Sequence, residues 1–272
     1  MLAPVRIDGH ELQPRDEIHQ RKLEALRVFV QHLLASPARD QIAKIVLFGS
    51  VARGETDAES DVDVLVFGSA PLQRTDEAAS DAAYAAQLDL GVYIEPFTRT
   101  CTAYEQPRGD FLLRVLREGK EVYSVDEEKL AFQTAESLYH LALKYGEQAR
   151  LKYDPQSEGA RRVAIDMAYN ASELCAKGML RFLTAQLPKT HSGLNTLFSD
   201  KFVKTKIAPI TLGRDFAVGL RYRNESRYDG DATITPEMVQ EVFSLLDQML
   251  ELLGQKLNRE SQKHEQENDP RH

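Results

Sequence analysis

The chain has 272 residues, 42% hydrophobic and 28% charged, which is the composition of a globular protein large enough for two domains. The formal net charge of −8 argues against general binding to nucleic acid, since that affinity comes mainly from cationic side chains. No apolar run approaches the roughly 20 residues that cross a bilayer and the N-terminus lacks a signal-peptide pattern, so we expect a cytoplasmic protein without a membrane partner.

The first half of the chain mixes helical and strand patterns. Its predicted elements, in chain order, are a helix over 16–35, strands over 42–48 and 61–67, a helix over 73–87, a strand over 88–97, and a helix followed by a short strand over 111–124. Pro37 ends the first helix, and Gly119 closes the last one. The pattern predicts an α+β domain over residues 1–125, a short mixed sheet with helices.

The second half of the chain contains no further strand pattern. Four long helical patterns follow one another over about 127–153, 158–186, 209–227 and 236–257. Thr235 and Pro236 form an N-cap and first-turn pair ahead of the last of them. We therefore expect an all-α bundle over residues 126–257 and, after it, a mobile polar tail over 258–272.

The most informative segment joins two predicted strands. Gly49-Ser50 follows the first strand, ten residues intervene, and Asp61-Val62-Asp63 opens the second. Because residues two apart on a strand point to the same face, Asp61 and Asp63 place two carboxylates side by side while Val62 faces the core. Gly49 permits a sharp turn close to a phosphate, and Ser50, at the predicted start of a helix, offers its hydroxyl and backbone N–H groups to a triphosphate.

This pair of carboxylates suits Mg²⁺, which takes hard oxygen ligands and completes its shell with waters and substrate phosphates. The combined motif arises by chance in below about 1% of chains of this length. The segment GSVARGET also has the length of a P-loop, but Glu55 stands where a phosphate-binding lysine is required, and an acid there would repel phosphate. Arg53 either contacts phosphates or covers the start of the helix.

The segments LFGSVARGE and SDVDVLV resemble the signature of the minimal nucleotidyltransferases of the DNA polymerase beta-like superfamily, over about residues 20–124. The resemblance implies two-metal transfer of a nucleotidyl group, most commonly AMP from ATP, to a hydroxyl or phosphate acceptor, with pyrophosphate leaving. Asp61 and Asp63 are then the metal ligands. The resemblance also implies a third carboxylate on a following strand. Glu95, at the exit of the predicted third strand, is the first candidate, and Asp89, on the same predicted strand, is the alternative.

The helical half resembles a HEPN domain over about residues 130–257, through segments such as RVAIDMAYNASELCAKGML and LPKTHSGLNTLF. Many HEPN domains are ribonucleases that use an arginine and a histidine of one helix. Here NESRYDG follows Arg223 without a histidine, while His191 is predicted in a loop and His140 on an earlier helix. This departure argues against ribonuclease activity. An RNA-cleaving domain restrained by its fused nucleotidyltransferase is kept as an alternative.

The same resemblance implies several roles for the helical half. In related two-domain enzymes a helical domain closes over the nucleotide, which makes Arg223 and Arg227 candidate nucleotide contacts. In some toxin–antitoxin systems the nucleotidyltransferase adenylylates a tyrosine of its HEPN partner, and Tyr228 is the corresponding acceptor candidate here. The alternative interpretation is a structural hydrogen-bond cluster of His191, Arg223 and Tyr228. HEPN bundles also often pair, which implies a homodimer.

The sequence leaves the acceptor open among a small molecule, a protein tyrosine and an RNA end, because acceptor pockets have no fixed motif. A catalytically inactive module that binds nucleotide and regulates a partner is the other hypothesis.

Overall fold

A computed structural model of the protein describes residues 2–267, with side chains described through residue 263. The chain divides into two compact units, Met1–Ser137 and Leu138–His272. The first combines strands and helices, whereas the described part of the second is helical, which confirms the predicted fold class. The predicted boundary at residue 125 precedes the helix Glu127–Lys152, and the two units divide inside that helix.

The first unit follows the predicted order of elements, with additions. Its strands are β1 (Val5–Ile7), β2 (His10–Leu12), β3 (Ile42–Phe48), β4 (Val62–Gly68), β5 (Ile94–Thr100) and β6 (Lys120–Ser124). Its helices are α1 (Glu17–Ala35), α2 (Gly49–Arg53), α3 (Gln73–Leu90), α4 (Cys101–Glu105), α5 (Asp110–Glu118) and the start of α6 (Glu127–Lys152). The antiparallel pair β1–β2 was not predicted, because each strand has only three residues.

Four strands form the main sheet in the order β5-β4-β3-β6. β3 runs antiparallel to β4 and β6, while β4 runs parallel to β5, so the sheet is mixed, as predicted. Alternation along β4 sends Val62 and Val64 into the core shared with α1 and α3. Leu65 and Phe67 face the opposite side, where they pack with residues of α5. Asp63 belongs to this second face, at the end of the sheet.

The second unit contains the end of α6 and four further helices, which are α7 (Glu158–Arg181), α8 (His191–Phe198), α9 (Ile210–Tyr228) and α10 (Pro236–Glu267). Its core includes Tyr169 of α7 stacked on Phe216 of α9, with ring centroids 5.6 Å apart. Helix α8 was predicted as a loop. It is short, and its N-cap, Thr190, accepts a hydrogen bond from the Gly193 N–H.

Helix α10 runs beyond its predicted end at residue 257, to Glu267. Glu260 explains part of this extension, because its buried carboxylate pairs with Lys256 and Lys263 on the same helix. The mobility of the tail over 258–272 stays a prediction, and residues 268–272 lie outside the described part. Among the helices of residues 2–267, none combines the length and apolar character that crossing a membrane requires.

Both cysteines are free and buried, Cys101 in α4 and Cys175 in α7. Burial raises the pKa of both thiols to about 12, which keeps them protonated and unreactive at neutral pH.

Candidate active site

The turn after β3 brings the two halves of the sequence signature together. Gly49 has φ of +73°, a conformation that side chains with a Cβ rarely adopt. A Cβ built on Gly49 would lie 1.9 Å from Oδ2 of Asp63, so the carboxylate rests directly against the glycine backbone. Phe48, the residue before the turn, is the cross-strand partner of Asp63. A glycine is thus required here both by the backbone angle and by the acid beside it.

A second acid stands next to Asp63 on the other side. Glu95 is its register partner on the parallel strand β5, and partners in adjacent strands point to the same face. Glu95 is exposed, whereas Asp63 is partly buried. The predicted third carboxylate therefore lies beside the second one.

Asp61 is exposed and immediately precedes β4, two residues before Asp63. Burial, followed by the charges of Glu95 and Asp61, raises the pKa of Asp63. Burial is the largest cause of this shift, the two neighbouring acids add repulsion, and the charge of Arg53 offsets part of it. A divalent cation would relieve the repulsion, and carboxylate oxygens are its preferred ligands, so these residues fit Mg²⁺. Within residues 2–263, whose side chains are described, no three His, Cys, Asp or Glu side chains are already arranged to hold a metal ion by themselves.

Asp89 does not share this position. The predicted third strand began at residue 88, but residues 88–90 complete helix α3, and β5 begins at Ile94. Gly91, with φ of +64°, ends the helix, and its N–H donates to the Gln87 carbonyl. The stretch Leu88-Asp89-Leu90 fits either an alternating strand or a helix end, which is why the prediction of a common strand for Asp89 and Glu95 was wrong.

Ser50 and Arg53 lie on α2, which has only five residues. Arg53 Nε donates to Glu55 Oε2 at 2.7 Å, in an exposed pair. The acid that excludes a P-loop therefore pairs with the neighbouring arginine. The structure brings Gly49, Ser50 and Arg53 to the same edge of the sheet as Asp63.

Two buried polar residues of α1 hold this edge in place, and the sequence analysis missed both. His19 Nδ1 accepts the Arg15 backbone N–H at 3.2 Å, so Nε2 carries the proton and donates to the Val51 carbonyl at 3.1 Å. Lys22 Nζ donates to the carbonyl of Ser60, the residue before Asp61. Desolvation by burial is the main cause that lowers the pKa of both side chains.

These two residues form a clamp, since His19 holds the helix after Gly49 and Lys22 holds the loop before Asp61. Their signal was present in the sequence. His19 and Lys22 occupy inward positions of the α1 pattern, whereas Ile18, an apolar residue of the same helix, is 43% exposed. A polar residue at an inward position of an amphipathic helix needs a partner in the interior, and here the partners are carbonyls of the site.

The loop between α2 and β4 is also organised internally. Asp57 Oδ1 accepts hydrogen bonds from the backbone N–H groups of Glu59 and Ser60 and from the Ser60 hydroxyl. These bonds lower the pKa of Asp57 and keep it ionised. The turn fixes the chain immediately before Asp61.

The predicted residues of the helical unit gather around Asp166 of α7. Nε of the buried Arg223 lies 3.2 Å from Asp166 Oδ1, without the alignment of a hydrogen bond, and Arg227 Nη1 lies 3.3 Å from the same oxygen. The ring of Tyr228 lies within 6 Å of both guanidinium groups and is 72% exposed. Both arginines share one carboxylate, and their predicted contact with a nucleotide stays a prediction.

His191 begins helix α8 and is not in a loop. Its Nδ1 forms a hydrogen bond with the buried Glu173, which also pairs with Lys177 at 2.9 Å. His140 lies on α6, where its ring meets that of Tyr139 edge-on. Neither histidine follows Arg223 on α9, so the predicted departure from the ribonuclease pattern holds in the structure.

Comparisons with known proteins cover both units. Residues 24–137 match the family model of a nucleotidyltransferase domain, and residues 135–257 match that of a HEPN domain. MJ0604 of Methanocaldococcus jannaschii, whose name describes it as a candidate protein adenylyltransferase, is 33% identical over 101 residues, 37% of this chain and 96% of that protein.

Among solved structures, spectinomycin adenyltransferase AAD(9) from Enterococcus faecialis, crystallised with ATP and spectinomycin, aligns with 84% of this chain and 98% of its own. The identity is 15% and the TM-score 0.29, a likeness too small to bear on fold or function.

Proposed function

Because this chain belongs to the nucleotidyltransferase family and carries a HEPN domain after its nucleotidyltransferase domain, we propose that it transfers AMP from ATP to a hydroxyl group in a Mg²⁺-dependent reaction. The observation that carries the proposal is the position of Asp63. Its carboxylate touches the Gly49 turn on one side and neighbours Glu95 on the other. Neighbouring acids beside a turn that admits a phosphate are what a metal–triphosphate site requires.

Asp61 and Asp63 are the residues that would hold the cations. When bound, Mg²⁺ supplies positive charge that stabilises the phosphate oxygens and the departing pyrophosphate. The protein contributes position, because Lys22 and His19 fix the two backbone segments between which the triphosphate would lie. Ser50 presents its hydroxyl and backbone N–H at the start of α2, and Arg53 adds a cation one turn later.

Glu95 is the proposed general base. Its exposed carboxylate on β5 is open to an acceptor, and it would take the proton of the acceptor hydroxyl. The acceptor oxygen then bonds to the α-phosphorus, while the bond from that phosphorus to the bridging oxygen breaks. Pyrophosphate leaves with the electron pair, so one phosphate ester replaces one anhydride.

The proposed acceptor is a protein hydroxyl, and the similarity to MJ0604, which is named as a protein adenylyltransferase, supports this choice over a small molecule or an RNA end. Tyr228 is a specific candidate, since its ring is 72% exposed and the guanidinium of Arg227, whose side chain is 49% exposed, lies beside it. The HEPN-like bundle would then act as the acceptor- or nucleotide-binding domain. We place the reaction in the cytoplasm, in a protein paired through its bundle as a homodimer.

The test is label transfer from α-labelled ATP with Mg²⁺, followed by mass spectrometry to locate the adduct. The double variant Asp61→Asn with Asp63→Asn should transfer nothing, whereas Asp89→Asn, an exposed acid on α3, should transfer as the wild type does. Transfer by the double variant at the wild-type rate would refute the assignment. Binding of ATP without transfer by the wild type would instead favour the inactive regulatory module.

A further inference from the structure

A groove opens beside the Gly49 turn, between α2 and α5, with a volume of about 270 Å³. Its α5 side consists of residues spaced three or four apart, which places them on one face of that helix. The lining residues are Phe48, Gly49, Arg53, Phe111, Arg114, Val115 and Glu118. Because Gly49 belongs to the lining, the groove is continuous with the turn where a triphosphate would lie.

Arg114 is a cation without a partner in this groove. Within the described residues it forms no hydrogen bond or ion pair, while Arg53 pairs with Glu55 and Arg117 pairs with Glu118 at 2.6 Å. A hydrogen bond from Arg117, together with the nearby charges of Arg114 and Arg53, lowers the pKa of Glu118. The negative charge of Glu118, the acid among the lining residues, is therefore already compensated by Arg117. The guanidinium of Arg114 is left to bind a ligand.

The floor of the groove is aromatic. The ring of Phe111, 40% exposed, meets the ring of Phe48 edge-on, with centroids 5.6 Å apart. Phe48 also contacts Phe97 of β5, at 5.9 Å between centroids. A ligand in this groove would lie against these rings and beside the guanidinium of Arg114.

We infer that this groove holds the β- and γ-phosphates of the nucleoside triphosphate, with Arg114 of α5 as a second phosphate-binding residue opposite Arg53. The inference rests on the proposed function and deepens it. Guanidinium groups bind phosphate oxygens in a bidentate manner, and two of them line a groove that begins at the glycine turn. A base stacked on Phe111 would use the aromatic floor but would leave Arg114 without an anion.

The experiment compares binding of α,β-methylene-ATP, whose bridge cannot be cleaved, with binding of AMP and of inorganic pyrophosphate, all by calorimetry with Mg²⁺. Arg114→Ala should weaken binding of α,β-methylene-ATP and pyrophosphate about ten-fold and leave AMP unchanged. Arg114→Lys keeps the positive charge but not the forked guanidinium, so its affinity should lie between those of the wild type and Arg114→Ala. Arg74→Ala is the matched control, since Arg74 is an exposed arginine of α3 and is not part of the lining.

Equal binding of α,β-methylene-ATP by Arg114→Ala and Arg74→Ala would overturn the inference and leave the proposed function standing. Equal weakening of AMP would also overturn it, since the groove would then hold the base. A wild-type protein that binds no triphosphate would refute the proposed function, and this inference with it. Circular dichroism of each variant shows whether the fold is kept, and Arg114→Lys provides the comparison if Arg114→Ala does not fold.

Discussion

The two units treat their acidic side chains in opposite ways. In the first unit, Asp63 is partly buried with Glu95 and Asp61 as neighbours, so burial and like charges raise its pKa. In the helical unit, Asp166 lies between two guanidinium groups, one of them that of the buried Arg223. The charge of Asp63 beside other acids destabilises the fold unless a cation binds there. The charge of Asp166 is already neutralised by the neighbouring arginines.

The same contrast holds for the other polar residues of the helical unit. Glu173 is buried, yet it pairs with Lys177 and with His191. This difference shows which cluster has acids that are open to a cation. The acids of the sheet edge form an incomplete site, which functional sites tolerate, while the helical cluster is completed by the chain's own side chains.

The largest effect is expected from the replacement of Asp63, the acid with two acidic neighbours. Asp63→Asn should lower nucleotidyl transfer at least about a thousand-fold, because a metal ligand is lost, which corresponds to about 4 kcal/mol. The same change should not lower the melting temperature in the absence of Mg²⁺, because it removes repulsion. Label transfer and calorimetric melting on one preparation test both. A variant that melts well below the wild type would contradict the repulsion.

The opposite result is expected in the helical unit. Asp166→Asn should cost about 2 kcal/mol of unfolding free energy, since it leaves the buried Arg223 without its carboxylate. Asp200→Asn, which breaks an exposed pair with Lys204, should cost less than about 0.5 kcal/mol. Urea unfolding followed by circular dichroism measures both. If the two variants were equally stable, the helical cluster would not be the compensated one.

The clamp on α1 gives a smaller effect. Lys22→Met removes the ammonium that binds the Ser60 carbonyl, so the backbone before Asp61 is no longer held in position. We therefore expect kcat to fall about ten-fold, with a smaller change in KM for ATP. Lys22→Arg should restore part of the loss, because a cation again reaches the carbonyl. Steady-state kinetics decide the matter. A change in melting temperature with unaltered kcat would assign Lys22 to the core alone.

The smallest expected effect is a pH dependence of stability. Burial lowers the pKa of His19 below its usual 6.5, so the unfolded chain takes up a proton that the folded chain resists. Stability should therefore fall as pH drops from 6.5 through the lower folded pKa, because protonation charges the buried ring and removes the Nδ1 lone pair that accepts the Arg15 N–H. His19→Gln keeps an N–H donor but cannot titrate, and subtracting its pH profile from that of the wild type should isolate this slope. Parallel profiles would contradict the assignment.

Much of the first unit could be predicted from the sequence because its elements are long and strongly patterned. β3 lies over the predicted residues 42–48, and β4 is displaced by one residue from the prediction. The placement of Gly49 against Asp63 follows from the antiparallel pairing of β3 with β4, in which Phe48 is the partner of Asp63. Local periodicity therefore predicts the centre of the candidate site.

What escaped prediction depends on tertiary contacts. Asp89 was placed on a strand because an alternating Leu-Asp-Leu stretch has no period long enough to distinguish a helix end from a strand. Lys22 and His19 looked like ordinary polar residues of a surface helix, and only the folded chain shows which carbonyls they reach. The groove with Arg114 likewise arises from a helix and a turn that are distant in sequence.

The central claim is that the sheet-edge acids await a cation and a triphosphate, whereas the helical acids do not. Its most direct test is the electron paramagnetic resonance signal of free Mn²⁺ titrated into the protein with α,β-methylene-ATP. The wild type and Asp166→Asn, at a temperature where both are folded, should remove the signal equally, and Asp61→Asn with Asp63→Asn should leave it close to that of nucleotide alone. Full Mn²⁺ binding by the double variant, or its loss in Asp166→Asn, would contradict the account.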